Sequence, residues 1–76
     1  MSESRVIHGF HAVTNCLRSA PDGVREIFVD GARADRRSAD LVQLAKSRNV
    51  RVMTVDARRL DGMTGNARHQ GVAASV

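Results

Sequence analysis

The 76-residue sequence contains one cysteine, one proline and two phenylalanines, and it has no tryptophan or tyrosine. A single cysteine cannot form an internal disulfide, and the position of Cys16 on the apolar side of a predicted helix indicates a small buried side chain. No signal peptide or long apolar segment is present, so we expect a cytoplasmic chain that does not enter a membrane. The shortage of aromatic side chains argues against a platform on which bases stack.

The common motifs of catalytic and metal sites are also missing. The sequence has no GxGxxG, no P-loop, no HExxH and no serine or cysteine beside a base. His8 and His11 flank a predicted corner rather than sharing a helical face, so with only His69 as a third ligand we expect no zinc site. A chain this short buries only about 60–65% of its unfolded surface. We therefore expect no deep pocket, no metal and no cofactor in this domain.

The sequence has an excess of positive charge. The net charge is +4, and eleven of the twelve basic residues are arginine. Arginine binds phosphate through two parallel hydrogen bonds and stacks on bases, so this composition favours a nucleic-acid partner. The alternative is a solvated arginine-rich surface without a ligand, because eight carboxylates are scattered among the arginines.

Hydrophobic periodicity predicts four strands and three helices that alternate along the chain. After a disordered tail, 1–4, the strands are 5–8, 24–29, 51–55 and 72–76. The helices are 10–19, 35–48 and a short third helix that Asp56 caps and that Gly62 and Gly65 end. Such alternation predicts one α/β domain over residues 5–76, a small three-layer sandwich with helices on a mostly parallel, four-stranded mixed sheet. The third helix is too short to cross the sheet, so the last strand should run antiparallel to the other three.

The corner at Gly9, between the first strand and the first helix, is the first candidate binding feature. The first turn of a helix has unpaired N–H groups and a partial positive charge, and both attract anions. Glycine lets a ligand approach the backbone, and His11 can form a hydrogen bond beside it. The alternative is that Gly9 is only a turn residue.

An antiparallel last strand would begin where the first three strands end, at the edge where open α/β sheets bind ligands. We expect the phosphate-binding residues at this edge, namely Gly9, His11, Arg33, Arg36, Arg37, Arg58, Arg59, Arg68 and His69. Net charge does not choose between the two edges, since this edge carries six basic and four acidic residues and the rest of the chain also carries six basic and four acidic residues. The glycine corner and the histidines favour this one.

Five short segments resemble a known family when they are taken in order. They are HGFHAV at 8–13, REIFV at 25–29, RADRR at 33–37, LD at 60–61 and HQGVA at 69–73. Together, over residues 5–76, they resemble the N-terminal substrate-binding domain of SpoU/TrmH-type RNA 2′-O-ribose methyltransferases. The resemblance implies that this chain binds 23S ribosomal RNA for an enzyme that methylates a guanosine ribose.

The same resemblance implies a division of labour between two domains. A C-terminal SPOUT domain, absent from this sequence, would bind S-adenosylmethionine, carry the catalytic residues and form a homodimer. The present chain would be a fragment that presents folded RNA and does not methylate by itself. The alternative is a structural domain that packs on the catalytic domain or on the dimer mate without touching RNA.

The N-terminal substrate-binding domain of this family is similar in turn to ribosomal proteins that bind kinked RNA. Their corner carries the pattern G-x-N-E-x-x-K, of which this sequence keeps Gly9 and places His11 at the asparagine position. Ala12 and Asn15 replace the acid and the lysine, which removes one base contact and one phosphate contact. The corner should therefore bind phosphate without reading a kink-turn in the usual way.

Overall fold

Three helices and four strands alternate in the computed structural model, which describes residues 5–32, 35–65 and 70–76. Their order is β1 (Val6–His8), α1 (Phe10–Ser19), a 3₁₀ turn (Pro21–Gly23), β2 (Glu26–Asp30), α2 (Arg36–Ser47), β3 (Arg51–Val55), α3 (Ala57–Met63) and β4 (Val72–Ser75). These boundaries lie within two residues of the predicted ones, although α3 continues through Gly62 to Met63 instead of ending at the glycine. No helix within the described ranges is long and apolar enough to cross a membrane.

The four strands form one mixed sheet in the order β1-β4-β2-β3. β4 runs opposite to the other three strands, as predicted, and it pairs with both β1 and β2. The expectation of a mostly parallel sheet is wrong, because β4 lies between β1 and β2 and only β2 and β3 pair in parallel. Two of the three strand pairs are therefore antiparallel. β2 has a partner on each side, which agrees with its nearly continuous apolar sequence.

The main core lies between one face of the sheet and the helices α1 and α2. Successive side chains of a strand point to opposite faces, so Ile27 and Val29 of β2 share this face with Val72 and Ala74 of β4. The helices contribute apolar side chains at helical spacing. The buried members of the cluster are Phe10, Val13, Leu17, Val24, Ile27, Val29, Leu41, Ala45, Val50, Val72 and Ala74.

A smaller apolar cluster covers part of the opposite face. Leu60 of α3 packs on Phe28 of β2 and Ala73 of β4, with Val55 and Met63 against them. Helices therefore lie on both faces of the sheet, which confirms the predicted three layers. Val55 and Leu60, on either side of the cap Asp56, both belong to this cluster and stand at the two positions of a hydrophobic staple, which fixes how a helix starts.

The first and last described residues lie side by side, at the edge of the sheet away from the start of β4. The Arg5 N–H donates to the Val76 carbonyl oxygen at 3.0 Å, and the Val76 N–H donates to the Arg5 carbonyl oxygen at 2.8 Å. The pair Val6 and Ser75 continues this ladder into the sheet. Both ends of the domain are therefore held by backbone hydrogen bonds.

Leu60→Ala is expected to destabilise the domain by about 2–5 kcal/mol, because it empties a completely buried position beneath α3. Urea unfolding followed by far-UV circular dichroism measures the loss. Arg58→Ala is the matched control, since it places alanine at an exposed position of the same helix and should change stability by less than about 0.5 kcal/mol. Equal unfolding midpoints for the two variants would contradict the packing of α3 on the sheet.

Candidate functional site

The carboxyl ends of β1, β2 and β3 and the start of β4 lie along one edge of the sheet, as predicted. We call this edge the rim, formed by residues 9–11, 30–31, 35–37, 55–59 and 70–71. Backbone hydrogen bonds join its parts from one side to the other. They run from Gly9 N–H to Val72 O (3.2 Å), from Asp30 N–H to Gly71 O (2.9 Å) and from Gly31 N–H to Val55 O (2.9 Å).

Gly9 turns the chain from β1 into α1 with φ +90°, in the left-handed region that favours glycine. A Cβ at this position would lie 3.5 Å from Gln70 Oε1, which is an ordinary contact, so backbone conformation rather than space requires glycine here. The expectation of bare N–H groups at the corner is wrong for two of them. The Gly9 N–H donates to Val72, and the Phe10 N–H donates to Gln70 Oε1 at 3.3 Å.

Gln70 acts as the N-terminal cap of α1 although it lies 60 residues further along the chain. Gly9, the local N-cap residue, has no side chain that could accept a hydrogen bond, so the acceptor comes from the start of β4. The bond ties the first helix to the last strand across the rim. Sequence reasoning missed this role, because capping side chains are normally sought next to the helix they cap.

Gln70→Met is expected to lower stability by about 0.5–2 kcal/mol, the usual effect of losing an N-terminal cap, since methionine keeps the length of the side chain without its amide oxygen. Thermal or urea unfolding measures the effect. Gln43→Met makes the same chemical change at an exposed position inside α2 and should be nearly neutral. If both variants unfolded at the same point, the cap would contribute nothing.

The other two helices begin at the rim with aspartate caps, of which Asp56 was predicted from the sequence. The Ser38 N–H donates to Asp35 Oδ1 at 2.9 Å, and the Arg59 N–H donates to Asp56 Oδ1 at 2.7 Å. No acidic residue occupies the first turn of α1, α2 or α3. That turn instead carries exposed arginines, Arg36 and Arg37 in α2 and Arg58 and Arg59 in α3.

These arginines lie where a helix favours the opposite charge. The start of a helix carries a partial positive charge, and a basic side chain there is unfavourable by a few tenths of a kcal/mol. Three helix N-termini and four exposed arginines lie on this edge of the domain beside three carboxylates, Asp30, Asp35 and Asp56. An anion bound at the rim would relieve this repulsion.

The structure places six of the nine candidate residues on the rim, on two sides of the sheet. His11, Arg36 and Arg37 belong to the side covered by α1 and α2, and Arg58 and Arg59 belong to the side covered by α3. Gly9 lies in the strand-to-helix corner between them. Arg33, Arg68 and His69 lie outside the described residues.

Arg59→Glu is expected to stabilise the free domain by about 0.3–1 kcal/mol at low salt, because an acid at this position completes a capping box with Asp56 and faces the positive end of α3. Added salt should reduce the gain. Arg48→Glu is the control of opposite sign, since it puts the acid at the C-terminal end of α2, where it should destabilise. Urea unfolding at two salt concentrations tests both variants, and a shift of the same sign for both would contradict a positive potential at the start of α3.

A groove of about 360 Å³ runs from the rim between α1 and α2. Its α1 side presents His11, Thr14 and Arg18, spaced three and four residues apart so that they share one helical face. Sequence reasoning named only His11 and Arg37 among its polar residues, although the spacing of Thr14 and Arg18 was visible. The lining residues are Phe10, His11, Thr14, Arg18, Arg37, Asp40, Leu41 and Leu44.

The rim and the groove present charged and polar side chains that can bind a ligand. Within the described residues, no three histidine, cysteine or acidic side chains come together to hold a metal ion. The groove has the guanidinium groups of Arg18 and Arg37 against the single carboxylate of Asp40 and therefore suits an anionic ligand.

Comparison with known proteins decides the family. A family model described as RNA 2′-O ribose methyltransferase substrate binding matches residues 6–76. The chain belongs to this family. The resemblance that the sequence motifs indicated is thereby confirmed, and the match extends over all four strands of this substrate-binding domain.

Relatives of the substrate-binding domain are named 23S rRNA (guanosine-2′-O-)-methyltransferase RlmB. The chain is 47% identical over 76 residues to the RlmB of Nitrosomonas europaea, covering 100% of this chain and 29% of the relative. For a Burkholderia species the identity is 45% over 76 residues, with 100% and 31% covered. For Bordetella pertussis it is 43% over 74 residues, with 97% and 30% covered. The substrate-binding domain thus spans about three tenths of the length of these methyltransferases.

Proposed function

We propose that this substrate-binding domain is the RNA-targeting part of a 23S ribosomal RNA guanosine 2′-O-methyltransferase. Its rim binds backbone phosphates and presents a folded RNA segment to a separate catalytic domain. The observation that supports this most strongly is the meeting of three helix N-termini at one edge, with exposed arginines in the first turns of two of them. The names of the relatives supply the class of RNA.

The proposed contacts fall on the nine residues that the sequence singled out. Gly9, His11, Arg36, Arg37, Arg58 and Arg59 would act from the described part of the rim, and Arg33, Arg68 and His69 complete the set. Contacts to phosphate fix the position of an RNA but do not read its sequence. Binding by the rim should therefore depend strongly on salt and weakly on base sequence. The replacement of the acid and lysine by Ala12 and Asn15 favours this general mode over kink-turn recognition.

Methyl transfer itself is assigned to the part of the enzyme that this chain does not include. The relatives are about three times as long as the chain and are named methyltransferases. We therefore propose that an S-adenosylmethionine site, the catalytic residues and a homodimer interface lie in the remaining length of such an enzyme. The groove between α1 and α2 does not fit the cofactor, because its basic lining would repel a sulfonium cation. Cytoplasmic ribosomal RNA is the proposed partner.

The double variant Arg58→Ala/Arg59→Ala is expected to weaken binding of a structured 23S ribosomal RNA fragment at least about fivefold at low salt. The slope of log affinity against log salt should fall by roughly 0.7–0.9 for each phosphate that the variant no longer neutralises. Fluorescence anisotropy at several salt concentrations measures both quantities, and circular dichroism checks that the variant is folded.

Arg48→Ala/Arg51→Ala removes the same charge from the opposite edge of the sheet and serves as the control. It should leave the slope nearly unchanged. Equal losses of affinity in the two double variants would indicate attraction by net charge alone. Unchanged affinity in both would favour the alternative of a structural domain without RNA contacts.

A further inference from the structure

The groove between α1 and α2 is continuous with the rim but differs from it in chemistry. The rim offers positive charge, whereas the groove combines positive charge with an apolar wall, Leu41 and Leu44, and one carboxylate, Asp40. α1 and α2 both start at the rim, so His11 and Arg37 lie at its mouth and Arg18 and Leu44 lie deeper. A phosphate chain bound along the rim would pass this mouth.

Arg37 is placed to hold a flat group at the mouth. Its guanidinium carbon lies 4.7 Å from the centroid of the Phe10 ring, which is a cation–π contact. The Arg37 side chain is exposed, so its planar guanidinium is accessible to a second planar partner, and arginine stacks well on unstacked RNA bases.

Asp40 supplies the only carboxylate of the groove, and it makes no salt bridge with any residue in the described part of the chain. A carboxylate accepts hydrogen bonds and cannot donate them when it is ionised. Among the four RNA bases, guanine alone presents two neighbouring donors, N1–H and N2–H₂, on its Watson–Crick edge. Adenine, cytosine and uracil would each place at least one acceptor lone pair against the carboxylate. An acidic peptide would likewise be repelled by Asp40.

We propose that this groove binds an unstacked guanine nucleotide of the RNA. The base stacks on Arg37 and lies against Leu41 and Leu44, Asp40 accepts from its Watson–Crick edge, and His11 and Arg18 contact the adjoining phosphates. This proposal rests on the proposed RNA-binding function and adds base selectivity to it. The groove volume, about 360 Å³, falls in the range of about 300–1,000 Å³ typical of small-ligand sites.

Titration of the ¹⁵N-labelled chain with GMP, AMP, CMP, UMP and inorganic phosphate, followed by amide chemical shifts, tests the groove directly. We expect GMP to saturate the shifts of His11, Thr14 and Asp40 at a concentration at least about fivefold below that of the other nucleotides, as a bidentate base contact implies. Identical shifts with all four nucleotides and with phosphate would overturn the proposal.

Asp40→Asn separates base recognition from charge attraction, because the two predict opposite signs. Removal of a negative charge strengthens binding of every anion, whereas replacement of the two-acceptor carboxylate weakens binding of guanine. We expect GMP affinity to fall at least about fivefold while AMP affinity does not fall. Asp22→Asn makes the same charge change outside the groove and should preserve the preference for GMP. A rise in affinity for all nucleotides in Asp40→Asn would overturn the proposal.

Titration of the same samples with a structured 23S ribosomal RNA fragment distinguishes failure of this site from failure of the RNA-binding function. Salt-dependent RNA binding without any guanine preference would remove the groove site and leave the rim function intact. Absence of RNA binding would remove the rim function. GMP-selective binding without RNA binding would also overturn the present proposal, since the groove would then be a site for a free nucleotide.

Discussion

The simultaneous pairing of β4 with β1 and β2 is the constraint on which the arrangement depends. Because β4 runs opposite to its neighbours, it begins at the edge where they end. At that edge the carbonyl oxygens of Gly71 and Val72 accept hydrogen bonds from the N–H groups of Asp30 and Gly9. Gln70 thereby comes within hydrogen-bond distance of the start of α1. A parallel β4, or one added at the outside of the sheet, would leave α1 without its cap and would divide the rim.

Stability and ligand attraction conflict at the rim, and the caps resolve the conflict. Asp35, Asp56 and Gln70 accept hydrogen bonds from backbone N–H groups at the starts of the helices, so these starts are capped although no acid lies in their first turns. The exposed guanidinium groups of the first-turn arginines face solvent beside helix ends of like charge. A fold selected only for stability would carry acids there, so the placement of the arginines supports the anionic partner that we propose.

Local chemistry made most of the elements predictable from sequence. Hydrophobic periodicity predicted the bounds of α1 and β3 to the residue, and Asp56 marked the start of α3. The order of strands was not predictable in this way, because the partner of β4 is decided by contacts between residues far apart in the chain. The antiparallel direction was accessible only because α3 is too short to cross the sheet.

The candidate site was likewise predictable from the sequence where it depends on local patterns and not where it depends on contacts between distant residues. The corner at Gly9 and the rim arginines were visible as local patterns, and their meeting at one edge followed from strand direction. The cap from Gln70 and the groove between α1 and α2 depend on packing between distant segments. The spacing of Thr14 and Arg18 beside the apolar stripe of α1 was the one local trace of the groove.

The adjacency of the two ends of the domain has a consequence for how the chain can be rearranged. Arg5 and Val76 are joined by a pair of backbone hydrogen bonds at the pole opposite the rim. Chain ends that lie side by side at the surface are the arrangement that tolerates circular permutation or insertion of the whole domain into a loop of a host protein. Either operation would leave the residues of the rim and of the groove unchanged.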